Sequence, residues 1–187
     1  MKIFISSLIV LLVSSSLHSQ NIADFTLTDA KSKSEVSLNN FNNKKGVAVI
    51  FTSNVCPYSV YYEGRITQLV ADYPDDIQFL LVNSFTDDKE TVDQMRSKIV
   101  AWGINAPYLA DKDGGVKKAF GARKSPEVFL LKNNGGKFSI FYKGAIDNNP
   151  QVATDVKERY LKNNIENLLN GRSATNLGTR PIGCMIK

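Results

Sequence analysis

The stretch Val47-Ala48-Val49-Ile50-Phe51-Thr52-Ser53-Asn54-Val55-Cys56-Pro57-Tyr58-Ser59 decides the fold. Residues 47–51 are an unbroken apolar run rich in β-branched side chains, the pattern of a central strand covered on both faces. Beyond Pro57, the residues Tyr62, Ile66, Leu69, Val70 and Tyr73 recur at three- and four-residue spacing, which predicts an amphipathic helix ending near Pro74. Pro57 suits the first turn of that helix, where the missing N–H is not needed. Cys56 therefore falls between the carboxyl end of a central strand and the first turn of a helix. Open α/β sheets carry their functional groups at that end. Unpaired N–H groups and the helix dipole favour a thiolate there by ~0.3–1 kcal/mol, less than one pKa unit. Further activation needs a cation or a hydrogen bond.

Working outward, Phe25 and Leu27 alternate with polar residues, as do Val36 and Leu38, so an N-terminal hairpin is predicted. Residues 77–82 read as a second buried strand. Val92, Met95, Ile99 and Val100 mark a second helix opening near Thr86 and Asp87, and Val116, Ala119 and Phe120 a short third one closed by Gly121. Two apolar runs, 128–131 and 138–142, flank Asn133-Asn134-Gly135-Gly136, a strong hairpin signal. Val152, Val156, Tyr160, Ile165, Leu168 and Leu169 predict a last helix ended by Gly171. Strands alternating with helices point to parallel pairing in an α/β sheet. Trp102 and the helically spaced tyrosines read as core. Asp111, Asp113, Glu127 and Asp147 read as caps and turns, because their spacing suggests neither a metal site nor a general-acid pair.

Residues 1–20 carry one Lys, an apolar run and a cluster of serines, the layout of an export signal. The run is about half the roughly 20 residues of a membrane span, so no stable membrane anchor is expected after cleavage. The product would be periplasmic or secreted. About 165 residues then remain, one domain with one core: a domain over 21–171 and a polar tail over 172–187. The formal net charge of +5 is scattered among acids, without the basic stripe that nucleic acid requires.

The single histidine is His18, inside the segment expected to be removed. Without imidazole, Ser-His-Asp and Cys-His nucleophiles and His-bearing zinc or copper sites are excluded. No metal and no organic cofactor is implied. The two cysteines, Cys56 and Cys184, are either a pair or two free thiols, in a compartment where disulfides persist. Cys56-Pro57-Tyr58-Ser59 has the outline of a redox Cys-x-x-Cys motif with a hydroxyl in place of the second thiol. Ser59 cannot close a disulfide, but it can donate a hydrogen bond to a Cys56 thiolate. Cys184 is then the one resolving partner within the chain.

Several segments resemble the peroxiredoxin-like redoxin branch (alkyl hydroperoxide reductase C/thiol-specific antioxidant type) of the thioredoxin superfamily. They are residues 51–58, Pro107-Tyr108-Leu109, Ser125-Pro126-Glu127-Val128-Phe129-Leu130-Leu131, residues 142–150 and Thr179-Arg180-Pro181-Ile182-Gly183-Cys184-Met185-Ile186-Lys187. The resemblance implies a thioredoxin fold with an added N-terminal β-hairpin and a C-terminal tail. It also implies that Pro126 follows a cis peptide bond, in a loop facing Cys56. Arg123 and Lys124 enter that loop as candidate cations, and Pro57, Tyr58, Ser125, Pro126 and Arg123 become candidate substrate-binding residues beside the catalytic set Cys56, Cys184, Ser59 and Ser53. Relatives often carry cysteines where this chain has Ser53 and Lys124. In a peroxidase motif, Pro-x-x-x-Thr-x-x-Cys, Ser53 would supply the hydroxyl, but Val49 replaces the proline.

Three readings remain open. In the first, an exported oxidoreductase attacks a protein disulfide, small thiol adduct or peroxide with Cys56; Cys184 on a flexible tail resolves the product, and an unidentified reductant restores the pair. In the second, a redox-silent binding module holds an extended peptide beside Tyr58 and the loop before Pro126, with Cys56–Cys184 as a structural staple. In the third, Cys56 works with an external thiol.

Overall fold

The computed structural model describes residues 20–187, so almost all of the predicted export segment, His18 included, lies outside the described residues. In chain order the elements are β1 (Asn21–Ile22), β2 (Thr26–Asp29), β3 (Glu35–Ser37), β4 (Gly46–Phe51), α1 (Pro57–Asp72), β5 (Ile77–Asn83), α2 (Val92–Trp102) and β6 (Tyr108–Ala110). There follow α3 (Gly115–Phe120), β7 (Lys124–Ser125), β8 (Glu127–Asn133), β9 (Phe138–Gly144), α4 (Tyr160–Leu169) and β10 (Cys184–Met185). Eight strands form one sheet in the order β1-β9-β8-β4-β5-β6-β2-β3, and β10 pairs with β7 apart from it.

Strand β4 runs down the middle of the sheet, parallel to β5 and antiparallel to β8. Successive side chains of a strand point to opposite faces, and both faces of β4 are covered. Ala48 and Ile50 pack among Tyr62 and Ile66 of α1, Met95 and Ile99 of α2, and Leu161 and Ile165 of α4. Val47, Val49 and Phe51 pack among Leu38, Val116, Phe120 and, from the tail, Ile186. The apolar run thus has no polar alternation because no face of it meets water. Its carboxyl end delivers residues 52–55 and then Cys56 to the start of α1.

The predicted hairpin is β2–β3, joined to the sheet through β6, a three-residue strand that the sequence pattern did not announce. Asp29 makes that junction: its carboxylate accepts from the N–H and O–H of Ser32 and from the Tyr108 N–H. Burial alone would raise its pKa, but these hydrogen bonds hold it below the usual carboxylate value. The Asn133–Gly136 turn closes β8 onto β9, with Gly135 and Gly136 at φ 68° and 90°.

Two helix starts lie later than predicted. Helix α2 opens at Val92 on a Thr91 cap that accepts the Gln94 N–H at 3.3 Å, not near Thr86 and Asp87. The freed loop 84–91 carries Glu90 inward. Helix α4 opens at Tyr160, and Val152 is 50% exposed. Asn148 accepts the N–H groups of Lys157 and Glu158, and Asn149 those of Gln151 and Val152. Asparagine side chains offer the backbone this alternative to a helix, and it prevails here over the valine spacing.

Candidate functional site

Cys56 is the N-cap of α1 with Pro57 at the first helical position, and it is 3% exposed. Its own side chain makes no capping hydrogen bond, and Ser53 holds the backbone that leads into it. The Ser53 oxygen accepts the N–H of Cys56 at 2.9 Å and of Val55 at 3.2 Å, and its hydroxyl donates to Glu90. Glu90 is fully buried, and its other carboxylate oxygen, Oε2, accepts from both the Asn54 N–H and the Asn83 amide. The second hydrogen of that amide goes to Tyr108 Oη, which donates to Asn54 Oδ1. Lys112 Nζ closes the network on Asn83 Oδ1, and burial pushes its pKa down against the opposing pull of Glu90 and Asp111. The loop ahead of Cys56 is therefore fixed from beneath by a satisfied polar network, the arrangement buried polar groups require.

Across from Cys56 stands the loop of Ser125 and Pro126, with a cis peptide bond between them. The Cys56 Sγ lies 3.2 Å from the Ser125 carbonyl oxygen, and the Ser59 and Ser125 hydroxyls are 2.7 Å apart. Ser59 thus faces Ser125. In the disulfide the sulfur carries no hydrogen, so the carbonyl contact becomes a hydrogen bond only in the thiol.

Cys56 is bonded to Cys184, with their Cα atoms 6.1 Å apart. Strand β10 pairs Cys184 with Ser125 and Met185 with Lys124, and the Ile186 N–H donates to the Arg123 carbonyl. The tail is not a free arm. Farther back, the Thr179 oxygen accepts the Ala145 N–H, and its hydroxyl meets that of Tyr142 at 2.6 Å. Burial pushes the Tyr142 phenol up to about 12, which keeps it a neutral donor. Gly144 is needed beneath this anchor, because a Cβ there would stand 2.2 Å from Thr179 Oγ1. The tail's seat could not be read from its polar composition: its strand is two residues long and its anchors are distant in sequence.

Of the two loop cations, Lys124 donates to the Gly183 carbonyl at 3.1 Å and Arg123 is exposed, its N–H bound to Glu127. Tyr58 is half-buried and meets Tyr61 edge to face at 6.4 Å. Val55, Tyr61, Ile182 and Met185 are exposed apolar side chains on segments flanking the disulfide. Asp147 holds a turn as expected, accepting the Asn149 N–H at 3.0 Å, and it is also buried, with Arg65 at 2.6 Å and the Tyr62 hydroxyl at 2.8 Å. The Arg65 guanidinium lies 3.8 Å over the Tyr62 ring. A cavity of about 270 Å³ beside this group is lined by Tyr62, Asp147, Tyr160, Thr179 and Arg180. Glu90, Arg65 and Asp147 were missed as a site because each meets its partner across many tens of residues.

A helix that opens on a cysteine after the central strand, opposite a cis proline, is the hallmark of the thioredoxin fold, and the chain has that fold. It belongs to the AhpC/TSA family, whose profile matches residues 19–138. In structure it is similar to a hypothetical protein of Sinorhizobium meliloti 1021, with 28% identity, 90% of this chain and 93% of that chain covered, and a TM-score of 0.82. An uncharacterized conserved protein of Geobacillus kaustophilus is similar at 24% identity, 90% of both chains and a TM-score of 0.83. A secreted Mycobacterium tuberculosis disulfide oxidoreductase homologous to E. coli DsbE is similar at 20% identity, 62% of this chain, 81% of that chain and a TM-score of 0.51. Comparison with curated protein sequences gave no match.

Proposed function

We propose that this chain is an exported thiol–disulfide oxidoreductase that cycles between a Cys56/Cys184 dithiol and the Cys56–Cys184 disulfide. The observation that carries the reading is the bond itself, which joins the N-cap of α1 to strand β10 beside the Ser125–Pro126 loop. In the reduced protein Cys56 is the nucleophile: the α1 terminus favours its thiolate, and the Ser125 carbonyl favours its thiol. The thiolate attacks one sulfur of a partner disulfide, the partner's other sulfur leaves as a thiolate, and Cys184 then displaces the partner from the mixed disulfide. The partner gains two electrons and two protons, and an external thiol reductant restores the pair. Ser59 and Ser125 steady each other at the back of the site, while Pro57, Tyr58 and Pro126 shape its mouth; Arg123 lies at its rim. Residues 1–20 act as the export signal, and the tail works as part of the domain.

Disulfides suit this site better than peroxides. The Ser53 hydroxyl, which a peroxide would need, is bound to Glu90, and its lone pairs hold the Cys56 and Val55 N–H groups. The burial of Ile186 and the Thr179 anchor favour a second reading, a structural staple. The rate at which the fully reduced protein reduces a small disulfide, hydroxyethyl disulfide, separates the two. Catalysis predicts reduction faster than by the same concentration of glutathione, an advantage that Cys56→Ser abolishes, and a trapped mixed disulfide in Cys184→Ser. A staple predicts reduction no faster than by glutathione, because its dithiol is a strong reductant without an activated nucleophile.

A further inference from the structure

The residue before Cys184 is Gly183, and a Cβ built there would stand 2.2 Å from the Ser125 carbonyl oxygen, 2.6 Å from its carbon and 3.1 Å from Pro126 N. All three are backbone atoms held in the loop opposite Cys56, so none can swing aside as a side chain would. Gly183 has no positive φ; the demand for glycine is one of space alone. The next residues alternate across the strand. Cys184 meets Cys56, Met185 is 55% exposed, and Ile186 is 7% exposed among Val116, Phe120 and Ala122. The edge of residues 123–125 thus reads a pattern: glycine, cysteine, any residue, aliphatic.

We propose that this edge is a docking site for an extended polypeptide partner that carries Gly-Cys-x-aliphatic, and that the chain's own tail fills it whenever the disulfide is closed. The inference rests on the exchange reading above and names its substrate class. Reduction removes the covalent hold on β10 and leaves its two-residue ladder, the Lys124–Gly183 hydrogen bond, the Ile186 contacts and, farther back, the Thr179 anchor. A partner strand of the same pattern takes the vacated edge with its cysteine, already in a disulfide, over Cys56. The Cys56 thiolate forms the mixed disulfide and the partner's second sulfur departs with the electron pair. The tail then returns, and Cys184 displaces the partner's cysteine. Ordinary cysteine-bearing strands are refused, because any side chain before the cysteine meets the Ser125 carbonyl.

The full-length Cys184→Ser protein, in which Cys56 is the one remaining thiol of the described residues, tests this with two synthetic peptides. Both have the sequence of residues 181–187, one with glycine and one with alanine at the position of Gly183, and each carries thionitrobenzoate on its cysteine. Attack by Cys56 releases the coloured thionitrobenzoate thiolate. The glycine peptide is expected to react at least about tenfold faster than the alanine peptide. Adding Ile186→Ala, which loosens the competing tail, is expected to speed the glycine peptide and keep the preference. Equal rates for the two peptides in both backgrounds, whether fast or undetectable, would overturn the docking site. The exchange reading would survive that result provided a small thionitrobenzoate disulfide still reacts with Cys56. A covalent dimer as the main product on reoxidising the unmodified protein would make a second copy's tail the occupant, and it too would overturn the proposal.

Discussion

Reduction of the Cys56–Cys184 bond is expected to lower the melting temperature by about 10 °C or more. The two cysteines are separated by 128 positions, so the bond closes a long loop in the unfolded chain. In the chain-entropy account a loop of this size corresponds to about 4–5 kcal/mol, and a chain of this length shifts by about 2–4 °C per kcal/mol. Part of the tail's order survives reduction, since the Thr179 anchor and the Ile186 contacts are non-covalent. Thermal unfolding with and without dithiothreitol measures the difference. Cys184→Ser should melt near the reduced protein and stop responding to the reductant; a melting temperature indifferent to reduction would mean that the bond does not constrain the unfolded chain.

Replacement of Glu90 by alanine is expected to destabilise the protein by about 3–5 kcal/mol and to unsettle the approach to Cys56. The side chain is fully buried and receives hydrogen bonds from Ser53, Asn54, Val55 and Asn83. Truncation leaves the Ser53 hydroxyl, the Asn54 N–H and one Asn83 amide hydrogen without an acceptor in a place water does not reach, where each unmatched group costs about 1–3 kcal/mol, while the Val55 N–H keeps Ser53. Denaturant unfolding gives the magnitude, and hydrogen exchange gives the place: the amides of Val55 and Cys56 should lose protection before those of β4. Glutamine should recover part of the loss, since it keeps one acceptor oxygen.

The parts of this architecture that were legible in the sequence are those written locally. The run 47–51 had no polar alternation because both of its faces are buried, Pro57 marked the first turn of α1, and Asn133-Asn134-Gly135-Gly136 marked a turn that requires positive φ. The parts that were not legible depend on partners far along the chain. Strand β6 is three residues long and exists because β5 and β2 flank it. Glu90 lies in a loop where an early helix start was expected, and its meaning is set by Ser53, 37 residues away. Val152 and Val156 continue the spacing of α4, yet the side chains of Asn148 and Asn149 hold that segment out of the helix. The tail has too little apolar surface to announce a docked strand; its seat comes from two glycines, Gly144 and Gly183, that allow backbones to meet closely.

The central claim is that Cys56 and Cys184 form a working redox couple, and an equilibrium titration in thiol/disulfide buffers of graded potential, quenched by alkylation and read by mass spectrometry, tests it most directly. The account predicts that both cysteines become alkylated together in one two-electron step, with a midpoint above about −300 mV, where exchangeable pairs lie. A bond that stays closed below about −300 mV, the range of structural disulfides, or cysteines that titrate independently of each other, would contradict it.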